Sequence, residues 1–386
     1  MNENTELYFA LLRCCLAGNN NGGIPSIELL RKVSWHHLLK FSKKQGTVTI
    51  YWHGIERWFP NGDSPVDASA EEIDRVRPTA ADVLEWMATI RRVELRIDEV
   101  NDRCLWITKQ FREAGFRTCI LKGQGNARYY PNGMMRLPGD IDLWVEGTPR
   151  KVLNYVDSVV PGMFRTYHHV EFVQSNGVNI EVHYRPSWLN SFINNQRLQH
   201  WFGLKADEQF CHKVNLTNGQ EATVCVPTYE FNLYFQLCHV YHHLLSEGIG
   251  MRHLLDYYFL LKSGGPISEQ QRKNMVQQLK YFGLHRVAQS MMWVLKHVLG
   301  LADEYLIAMP SEKLGHILLH EMLEGGNLGK HDERLLSGVQ PKGWKHNVQR
   351  LVRDVRMVWY FPSECLWEPA FRVYHWFWRL AHQYHH

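Results

Sequence analysis

The sequence predicts an α+β protein in which a small sheet-containing core lies between two mostly helical regions. Apolar residues recur at helical spacing over 5–18 and 26–44, and again in most segments after about residue 190. Between these regions, short runs that alternate apolar and polar residues are typical of strands. We therefore expect a helical N-terminal region at 1–78, a core domain at 79–188 and a mostly helical C-terminal domain at 189–386.

Caps, turns and alternation predict the elements of the core. A helical pattern that starts after Pro78-Thr79 and stops at Gly115 predicts one long helix from about Ala80 to Ala114. Thr148-Pro149 is typical of a helix N-terminus. Ser175-Asn-Gly177 favours a hairpin turn, because Asn-Gly tolerates the positive φ that such turns need. The predicted order is strand 117–121, a short helix near 125–130, strand 140–145, helix 149–158 and hairpin strands 165–174 and 178–185.

Beyond the core the predicted elements are mostly helices. A strand is expected at 222–226, and Pro227-Thr-Tyr-Glu230 begins a helix that carries His239, His242 and His243. Further helices are expected near 250–263, 268–282, 285–299, 311–323, 344–358 and 369–383.

Composition is that of an ordinary globular protein. The 386 residues are 45% apolar, and a net charge of +4 neither requires nor excludes a nucleic-acid partner. The eight cysteines lack metal-binding spacing and are expected to be reduced thiols. The first residues have no signal-peptide pattern, and no window approaches 18 uninterrupted apolar residues. We therefore expect a cytoplasmic protein without a transmembrane segment.

The most informative segment is 121–145, which ends in two aspartates that alternate with aliphatic residues. In a strand, Asp140 and Asp142 share one face while Ile141, Leu143 and Val145 can be buried on the other. Two carboxylates on one face repel each other unless a cation lies between them. Hard oxygen ligands of this kind suit Mg²⁺, which proteins usually hold with one or two carboxylates and the phosphates of a substrate.

A third carboxylate is available in the alternating run 179–186, where Glu181 shares a face with His183. If this strand lies beside the first with the polar faces in register, Asp140, Asp142 and Glu181 form one carboxylate cluster. Such a cluster can hold two metals about 3.5–4 Å apart, one activating an attacking hydroxyl and one neutralising a triphosphate. That chemistry is nucleotidyl transfer.

The order Lys122-Gly123, Tyr130-Pro131, Arg136, Gly139-Asp-Ile-Asp-Leu143 and Glu181-Val-His-Tyr-Arg185 resembles the uncharacterised branch of bacterial nucleotidyltransferases in the DNA polymerase β superfamily. A helix with His239, followed by Gly250-Met-Arg-His-Leu-Leu-Asp256, is similar to the helical part of those proteins, and the resemblance covers roughly residues 100–265.

The resemblance implies a polymerase β-like core, a mixed sheet with flanking helices, that moves a nucleoside monophosphate from an NTP such as ATP to a hydroxyl. It implies Asp140 and Asp142 as metal ligands, Glu181 as the third carboxylate, and Gly123 with Gly125 as the turn under the triphosphate. The metal is expected to be Mg²⁺, with Mn²⁺ as the alternative. The hydroxyl acceptor, a small molecule, a protein or an RNA, is left open.

The superfamily usually has Gly-Ser in the turn before the aspartates, whereas this chain has Gly123-Gln-Gly125. Lys-Gly commonly takes that place in the related branch. The difference favours an alternative, a catalytically degenerate protein of the same fold that binds a nucleotide or a partner. The intact pair Asp140 and Asp142 with Glu181 favours the enzyme.

Three cations near the proposed site have two interpretations each. Lys122 either neutralises a phosphate or is a solvated lysine at a strand end, and Arg136 contacts the triphosphate or pairs with a carboxylate. Arg252 and Asp256 are four apart on one helix, so an ion pair is the default expectation. The functional alternative has Arg252 pointing into a cleft as a phosphate or base contact.

The histidines and the C-terminal aromatic residues also allow alternatives. His239, His242 and His243 have metal-binding spacing, but a packed or surface group is the preferred interpretation. For His183 a packed, hydrogen-bonded state is preferred over a position near the metals or the acceptor. A hydrolase with a metal on His168, His169, Glu181 and His183 ranks last, because it gives Asp140 and Asp142 no role. The aromatic run 359–380, which contains Arg372 and Arg379, is expected to pack on its own domain, with partner docking or a membrane interface as alternatives.

Overall fold

The computed structural model describes residues 3–18, 20, 22–172, 177–216, 222–246, 248–325 and 344–382, although the side chains of 325 and 344–350 are not described. The protein is mostly helical, with one small mixed sheet. The N-terminal helices are α1 (Glu3–Ala17), α2 (Ile27–Leu30), α3 (Trp35–Gln45), α4 (Val48–Trp58) and α5 (Ala70–Val76). The helix-spaced apolar positions at 26–44 are divided between α2 and α3. The two helices are separated because Ser34 is extended (φ −97°, ψ 105°) immediately before α3.

One long helix leads from this region into the core. Helix α6 (Ala80–Glu113) begins with a capping box, in which the Thr79 hydroxyl accepts from the Asp82 backbone N–H and the Asp82 carboxylate accepts from the Thr79 backbone N–H. The helix is followed by Gly115 at φ 80°, a conformation that favours glycine. Both ends lie where the sequence predicts them.

The sheet contains four strands, β1 (Thr118–Ile120), β2 (Ile141–Val145), β3 (His169–Glu171) and β4 (Ile180–His183). Their spatial order is β1-β2-β4-β3. Strands β2 and β4 are parallel, and both outer pairs are antiparallel. Helix α7 (Gln124–Ala127) follows β1, and α8 (Pro149–Val159) follows β2 with Pro149 at its first turn and the Thr148 hydroxyl as its cap.

The strand predicted at 165–174 begins later than expected, and its last two residues lie outside the described part of the chain. Among its described residues only His169–Glu171 is a strand, because the chain before it folds back on itself, with the Thr166 N–H bonded to the His169 carbonyl and the Glu171 N–H bonded to the Phe164 carbonyl. Strands β3 and β4 are antiparallel, as a hairpin requires. Ser175 and Asn176 of the predicted turn lie outside the described residues, and its third residue, Gly177, has φ 79°.

The two faces of the sheet have different neighbours. One face contributes aliphatic side chains to a core formed with α6 and α8, namely Ile141, Leu143, Val145, Ile180 and Val182. The other face carries Asp142, Trp144, Glu181 and His183. Trp144 on that face joins a larger core with Phe210 and Phe231. The alternation read from the sequence therefore holds for both β2 and β4.

Helices make up most of the C-terminal part, with one two-stranded sheet formed by β5 (Lys213–Asn215) and β6 (Thr223–Cys225). Strand β5 was not expected. The helices are α9 (Phe192–Cys211), α10 (Tyr229–Leu245), α11 (Met251–Ser263), α12 (Glu269–Tyr281), α13 (His285–His297), α14 (Glu312–Gly325), α15 (Trp344–Met357) and α16 (Pro362–His382). The larger core joins side chains of the N-terminal helices with side chains of these helices.

The last helix begins earlier than expected. Helix α16 starts at Pro362, where a proline in the first turn loses no helical hydrogen bond. The predicted start, Pro369, lies inside the helix. No helix in the described part of the chain is long and apolar enough to cross a bilayer. All eight cysteines are free thiols.

Candidate active site

The parallel pairing of β2 and β4 places Asp142 directly opposite Glu181. Asp140 immediately precedes β2, after Gly139. Because side chains two residues apart point to the same face, the Asp-x-Asp segment and Glu181 converge at one end of the two central strands. The structure thus brings together the three carboxylates that the sequence singled out.

Asp142 is the most buried of the three, with 1% of its surface exposed. One carboxylate oxygen, Oδ1, lies 3.1 Å from both Lys122 Nζ and His183 Nε2. The other, Oδ2, has no hydrogen-bond partner among the described residues. A buried carboxylate oxygen without a donor is costly unless a cation or a donor from a ligand satisfies it.

Lys122 lies just after β1 and neutralises the aspartates. Its Nζ is 3.9 Å from Asp140 Oδ2 as well as 3.1 Å from Asp142 Oδ1. Burial opposes the charge of the ammonium group, but Asp140, Asp142 and Glu181 outweigh this effect and raise the pKa of Lys122. The charge of Lys122 in turn holds the pKa of Asp140 well below its usual range.

His183 bridges two of the carboxylates. Its Nε2 is 3.1 Å from Asp142 Oδ1 and 3.3 Å from Glu181 Oε2. Burial disfavours the imidazolium, but these two hydrogen bonds more than compensate and raise the pKa of His183 to about 9. The expectation of a packed, hydrogen-bonded histidine is confirmed. His183 also lies between the carboxylates, so the alternative position beside the proposed metal ligands, which its shared face with Glu181 allowed, describes it as well.

Glu181 has a second histidine neighbour, since its Oε2 lies 3.4 Å from His169 Nδ1. Burial raises the pKa of Glu181, but the hydrogen bond from His183 and the nearby positive charge lower it to about 2. His169 Nδ1 is also 2.7 Å from His168 Nε2. Burial lowers the pKa of His169 to about 4 and the pKa of His168 well below its usual value.

The two glycines of the predicted phosphate turn differ in position. Gly123 has φ 63° and ψ −116°, which strongly favours glycine, and it lines the cavity described below. Gly125 faces the interior, where an added Cβ would lie 2.9 Å from the Ile120 carbonyl oxygen. Gly125 therefore allows α7 to pack closely and does not line the cavity.

Arg136 pairs with a carboxylate, and the partner is Asp256. The guanidinium donates through Nε to Oδ1 at 2.9 Å and through Nη2 to Oδ2 at 2.8 Å. Tyr130 and Asn126 also donate to Asp256. The expected ion pair between Arg252 and Asp256 is wrong, because the Asp256 carboxylate binds Arg136 across 120 residues of sequence.

Arg252 points into the cavity instead. It is 8% exposed, its Nη1 donates to the Pro138 carbonyl at 3.4 Å, and its Nε has no partner within the described ranges. No carboxylate of the described chain lies within 4.0 Å of its guanidinium. Burial lowers the pKa of Arg252, and the neighbouring Arg136 adds to that effect.

A cavity of about 510 Å³ opens beside the carboxylates, a size suited to a small-molecule ligand. Seven of the eight predicted site residues line it, namely Lys122, Gly123, Arg136, Asp140, Asp142, Glu181 and Arg252. The opposite walls come from α10, α11 and α16. The sequence missed the wall formed by α16, which contributes Glu368, Phe371, Arg372 and His375.

The histidines of α10 are grouped differently from the sequence interpretation. His239 and His243 approach His253 of α11, and ligand nitrogens of the three lie within 4.8 Å of one another. His242 packs on Trp188 instead, with ring centroids 3.8 Å apart. Only the spacing of His239 and His243 was visible in the sequence, because His253 is brought in by the packing of two helices.

One comparison with known proteins identifies the family of this chain. The sequence profile of a family described as "Uncharacterised nucleotidyltransferase" matches residues 31–300. A search of curated proteins finds no match. A structural comparison matches an antigenic nucleotidyltransferase-like protein from Paracoccidioides brasiliensis, at 14% identity and a TM-score of 0.30, covering 57% of this chain and 97% of that one. That TM-score is too low to show a shared fold.

The carboxylates, the basic cavity wall and the small mixed sheet together define a candidate group-transfer site. The chain belongs to the uncharacterised nucleotidyltransferase family, whose profile spans more than two thirds of its length. Family membership supports a general role in nucleotidyl transfer.

Proposed function

We propose that the protein is a Mg²⁺-dependent nucleotidyltransferase that moves a nucleoside monophosphate from an NTP to a hydroxyl acceptor and releases pyrophosphate. The observation that carries this proposal is the juxtaposition of Asp142 and Glu181 on parallel strands, with Asp140 beside them. The order of elements around these carboxylates supports a polymerase β-like core, which forms part of the proposal.

The donor atoms fit a divalent metal. Asp140, Asp142 and Glu181 offer hard oxygen ligands, and the unpartnered Asp142 Oδ2 supplies a buried negative charge that a cation would satisfy. These three residues would hold Mg²⁺, with Mn²⁺ as a substitute. When bound, the metal would neutralise phosphate charge and lower the pKa of the acceptor hydroxyl.

The protein residues position the reactants for an in-line displacement. The acceptor oxygen forms a bond to the α-phosphorus, the bond from that phosphorus to its bridging oxygen breaks, and pyrophosphate leaves with the electron pair. Glu181, which is more exposed than Asp142, accepts the hydroxyl proton and passes it on to solvent, because a carboxyl group with a pKa of about 2 does not retain it. Positioning and charge neutralisation account for the rate enhancement.

The phosphates of the NTP would lie against cations that already line the cavity. Arg252 is a buried guanidinium without a carboxylate partner in the described chain, and its Nε and remaining N–H groups are donors for phosphate oxygens. Lys122 supplies a second positive charge on the same side of the aspartates. Gly123 allows the turn after β1 to come close to the phosphates, because it has no side chain.

Calorimetric titration of each NTP with Mg²⁺ tests the proposal without knowledge of the acceptor. We expect binding to the wild type and to Glu171→Gln, and loss of metal-dependent binding in the Asp140→Ala, Asp142→Ala double variant. Glu171 is a matched control, because it pairs directly with Glu181 on β3 and lines the same cavity but is not placed among the metal ligands. A folded wild type that binds no NTP at millimolar concentration would rule out the proposed activity.

A further inference from the structure

Three histidines form a cluster on the wall of the cavity that faces the sheet. His239 and His243 are four residues apart on α10 and therefore share a helix face, and His253 enters from the first turn of α11. The ring centroids of His239 and His243 are 4.3 Å apart, and those of His243 and His253 are 5.2 Å apart. All three residues line the cavity.

Two permanently charged groups flank this histidine cluster. Lys122 Nζ lies 3.3 Å from His239 Nε2. Arg252 precedes His253 in the chain, is more than nine-tenths buried and has an Nε without a partner in the described part of the chain. A buried cation without a carboxylate is costly unless a ligand supplies the missing negative charge.

The chemistry of the cluster favours an anion over a metal ion. Burial lowers the pKa values of His239 and His253 well below the usual histidine range. The Lys122 charge adds to the effect at both, and the Arg252 charge adds to it at His253. Each neutral imidazole keeps one N–H donor. The three imidazoles would also suit a transition metal, but the positive charges of Lys122 and Arg252 beside them oppose a metal ion and attract a polyanion.

Lys122 connects this cluster to the carboxylates. The same ammonium group lies 3.1 Å from Asp142 Oδ1 and 3.3 Å from His239 Nε2, so the histidines are one lysine side chain away from the proposed metal ligands. A triphosphate whose α-phosphate lies at the carboxylates would extend its β- and γ-phosphates along Lys122 towards the histidines.

We propose that His239, His243 and His253, flanked by Lys122 and Arg252, form a pyrophosphate-binding site. The inference rests on the proposed function, because pyrophosphate is the leaving group of that reaction. The site holds the β- and γ-phosphates before transfer and the free pyrophosphate after it. Pyrophosphate therefore competes with the NTP for the cavity and inhibits the enzyme as a product.

Calorimetry with inorganic pyrophosphate in EDTA tests the site without metal or acceptor. The variant is His243→Leu, His253→Leu, which removes imidazole donors while leaving apolar side chains of similar size. The matched control is His242→Leu, because His242 lies on the same helix and lines the same cavity but packs on Trp188. We expect equal binding by the wild type and the control, and roughly tenfold or greater weakening in the double variant, since hydrogen bonds to charged groups are strong.

A measurement on the wild type covers the case in which the double variant does not fold. We expect the ring-nitrogen NMR signals of His243 and His253 to shift on addition of pyrophosphate while the His242 signal stays in place. Equal pyrophosphate affinity in the wild type and a folded double variant would overturn the proposal. A zinc ion that copurifies with the wild type and is lost with these histidines would also overturn it.

The two proposals fail in different ways. The Asp140→Ala, Asp142→Ala variant should still bind pyrophosphate in EDTA, because the carboxylates only repel the anion, although it no longer binds Mg²⁺ and NTP. Pyrophosphate binding that depends on His243 and His253 in a protein that binds no NTP would refute the transferase and retain the anion site. NTP binding that depends on the aspartates, together with pyrophosphate binding unaffected by the histidine changes, would refute only the anion site.

Discussion

Arg136 and Asp256 form a buried, bidentate ion pair between the loop before β2 and helix α11. Nε and Nη2 of the arginine lie 2.9 and 2.8 Å from the two carboxylate oxygens. Because Arg252 is on the same helix as Asp256, this pair fixes the position of the cationic cavity wall relative to the aspartates. Arg136 thus supports the site through a partner on the helix.

We expect Asp256→Ala to destabilise the protein by about 3–5 kcal/mol, because it leaves Arg136 buried without its carboxylate. Equilibrium unfolding in urea measures this cost. The control is Glu71→Ala, which removes an exposed i,i+4 pair with Arg75 and should change the free energy of unfolding by less than about 0.5 kcal/mol. Similar effects of the two changes would contradict a structural role for the buried pair.

Arg252 should show a trade-off between stability and binding. Replacement by Met removes a buried guanidinium with an unpartnered Nε, so the free energy of unfolding should stay equal or rise by about 1 kcal/mol. The affinity for Mg²⁺ and NTP should fall roughly tenfold or more, because a charge-assisted hydrogen bond to phosphate is lost. Thermal unfolding and calorimetry measure the two quantities.

Arg272→Met is the control, and the expected effects on stability and on NTP affinity are the reverse of those for Arg252→Met. The Arg272 guanidinium donates to the Leu306 carbonyl at 2.7 Å and to the Asp303 carbonyl at 2.9 Å, and it does not line the cavity. Arg272→Met should lower stability and leave NTP affinity unchanged. Reduced stability with unchanged affinity in Arg252→Met would show that Arg252 is a structural residue as well.

The sequence predicted those parts of the site that depend on local periodicity. Alternation placed Asp142 and Glu181 on the faces of β2 and β4 opposite their aliphatic neighbours, and the structure confirms both faces. Strand register is not a local property, so the sequence alone could not show that Asp142 pairs with Glu181. The fold supplies that register.

Contacts between distant segments could not be read from the sequence. The i,i+4 rule proposed a pair between Arg252 and Asp256, yet Arg136 outcompetes Arg252 because it reaches both carboxylate oxygens at once. Likewise, His253 joins His239 and His243 only because α10 packs on α11. Such partners depend on how helices pack together, and the spacing of residues within one helix does not reveal that packing.

The turn after β1 should be intolerant of a side chain at Gly123. Its φ of 63° with ψ of −116° is a conformation that L-residues rarely adopt, and a Cβ would lie 3.4 Å from the Asp140 carbonyl oxygen. We expect Gly123→Ala to cost about 1–3 kcal/mol and to weaken NTP binding by displacing the turn. Denaturant unfolding and calorimetry measure both effects.

Gly133→Ala is the matched control for this change. Gly133 lies in the same connection between β1 and β2, and its added Cβ would make only ordinary contacts with Ala127 at 3.8 Å. The free energy of unfolding should change by less than about 1 kcal/mol, the general range of alanine and glycine backbone effects. Equal costs at Gly123 and Gly133 would contradict the strain assigned to the turn.

Glu364 should make stability depend on pH near neutrality. It lies in the first turn of α16, 3% exposed, and its carboxyl accepts the backbone N–H groups of Asn190 and Ser191. Burial raises the pKa of Glu364 to about 7, and these two hydrogen bonds reduce the shift without cancelling it. The folded protein therefore favours the protonated carboxyl group.

The direction of the pH effect follows from this difference. The pKa of Glu364 is about 7 in the folded state and 4.5 ordinarily. The protonated carboxyl group therefore makes its full contribution to stability below about pH 4.5, and this contribution is lost as the pH rises through 7. The loss amounts to roughly 3 kcal/mol, at 1.36 kcal/mol per pKa unit. Glu364→Gln has no such titration, so its free energy of unfolding should rise relative to the wild type between pH 5 and pH 8. Urea unfolding at each pH measures the difference. If the variant instead loses stability relative to the wild type as the pH rises, the N–H groups of Asn190 and Ser191 stabilise a charged Glu364, and burial is the smaller effect.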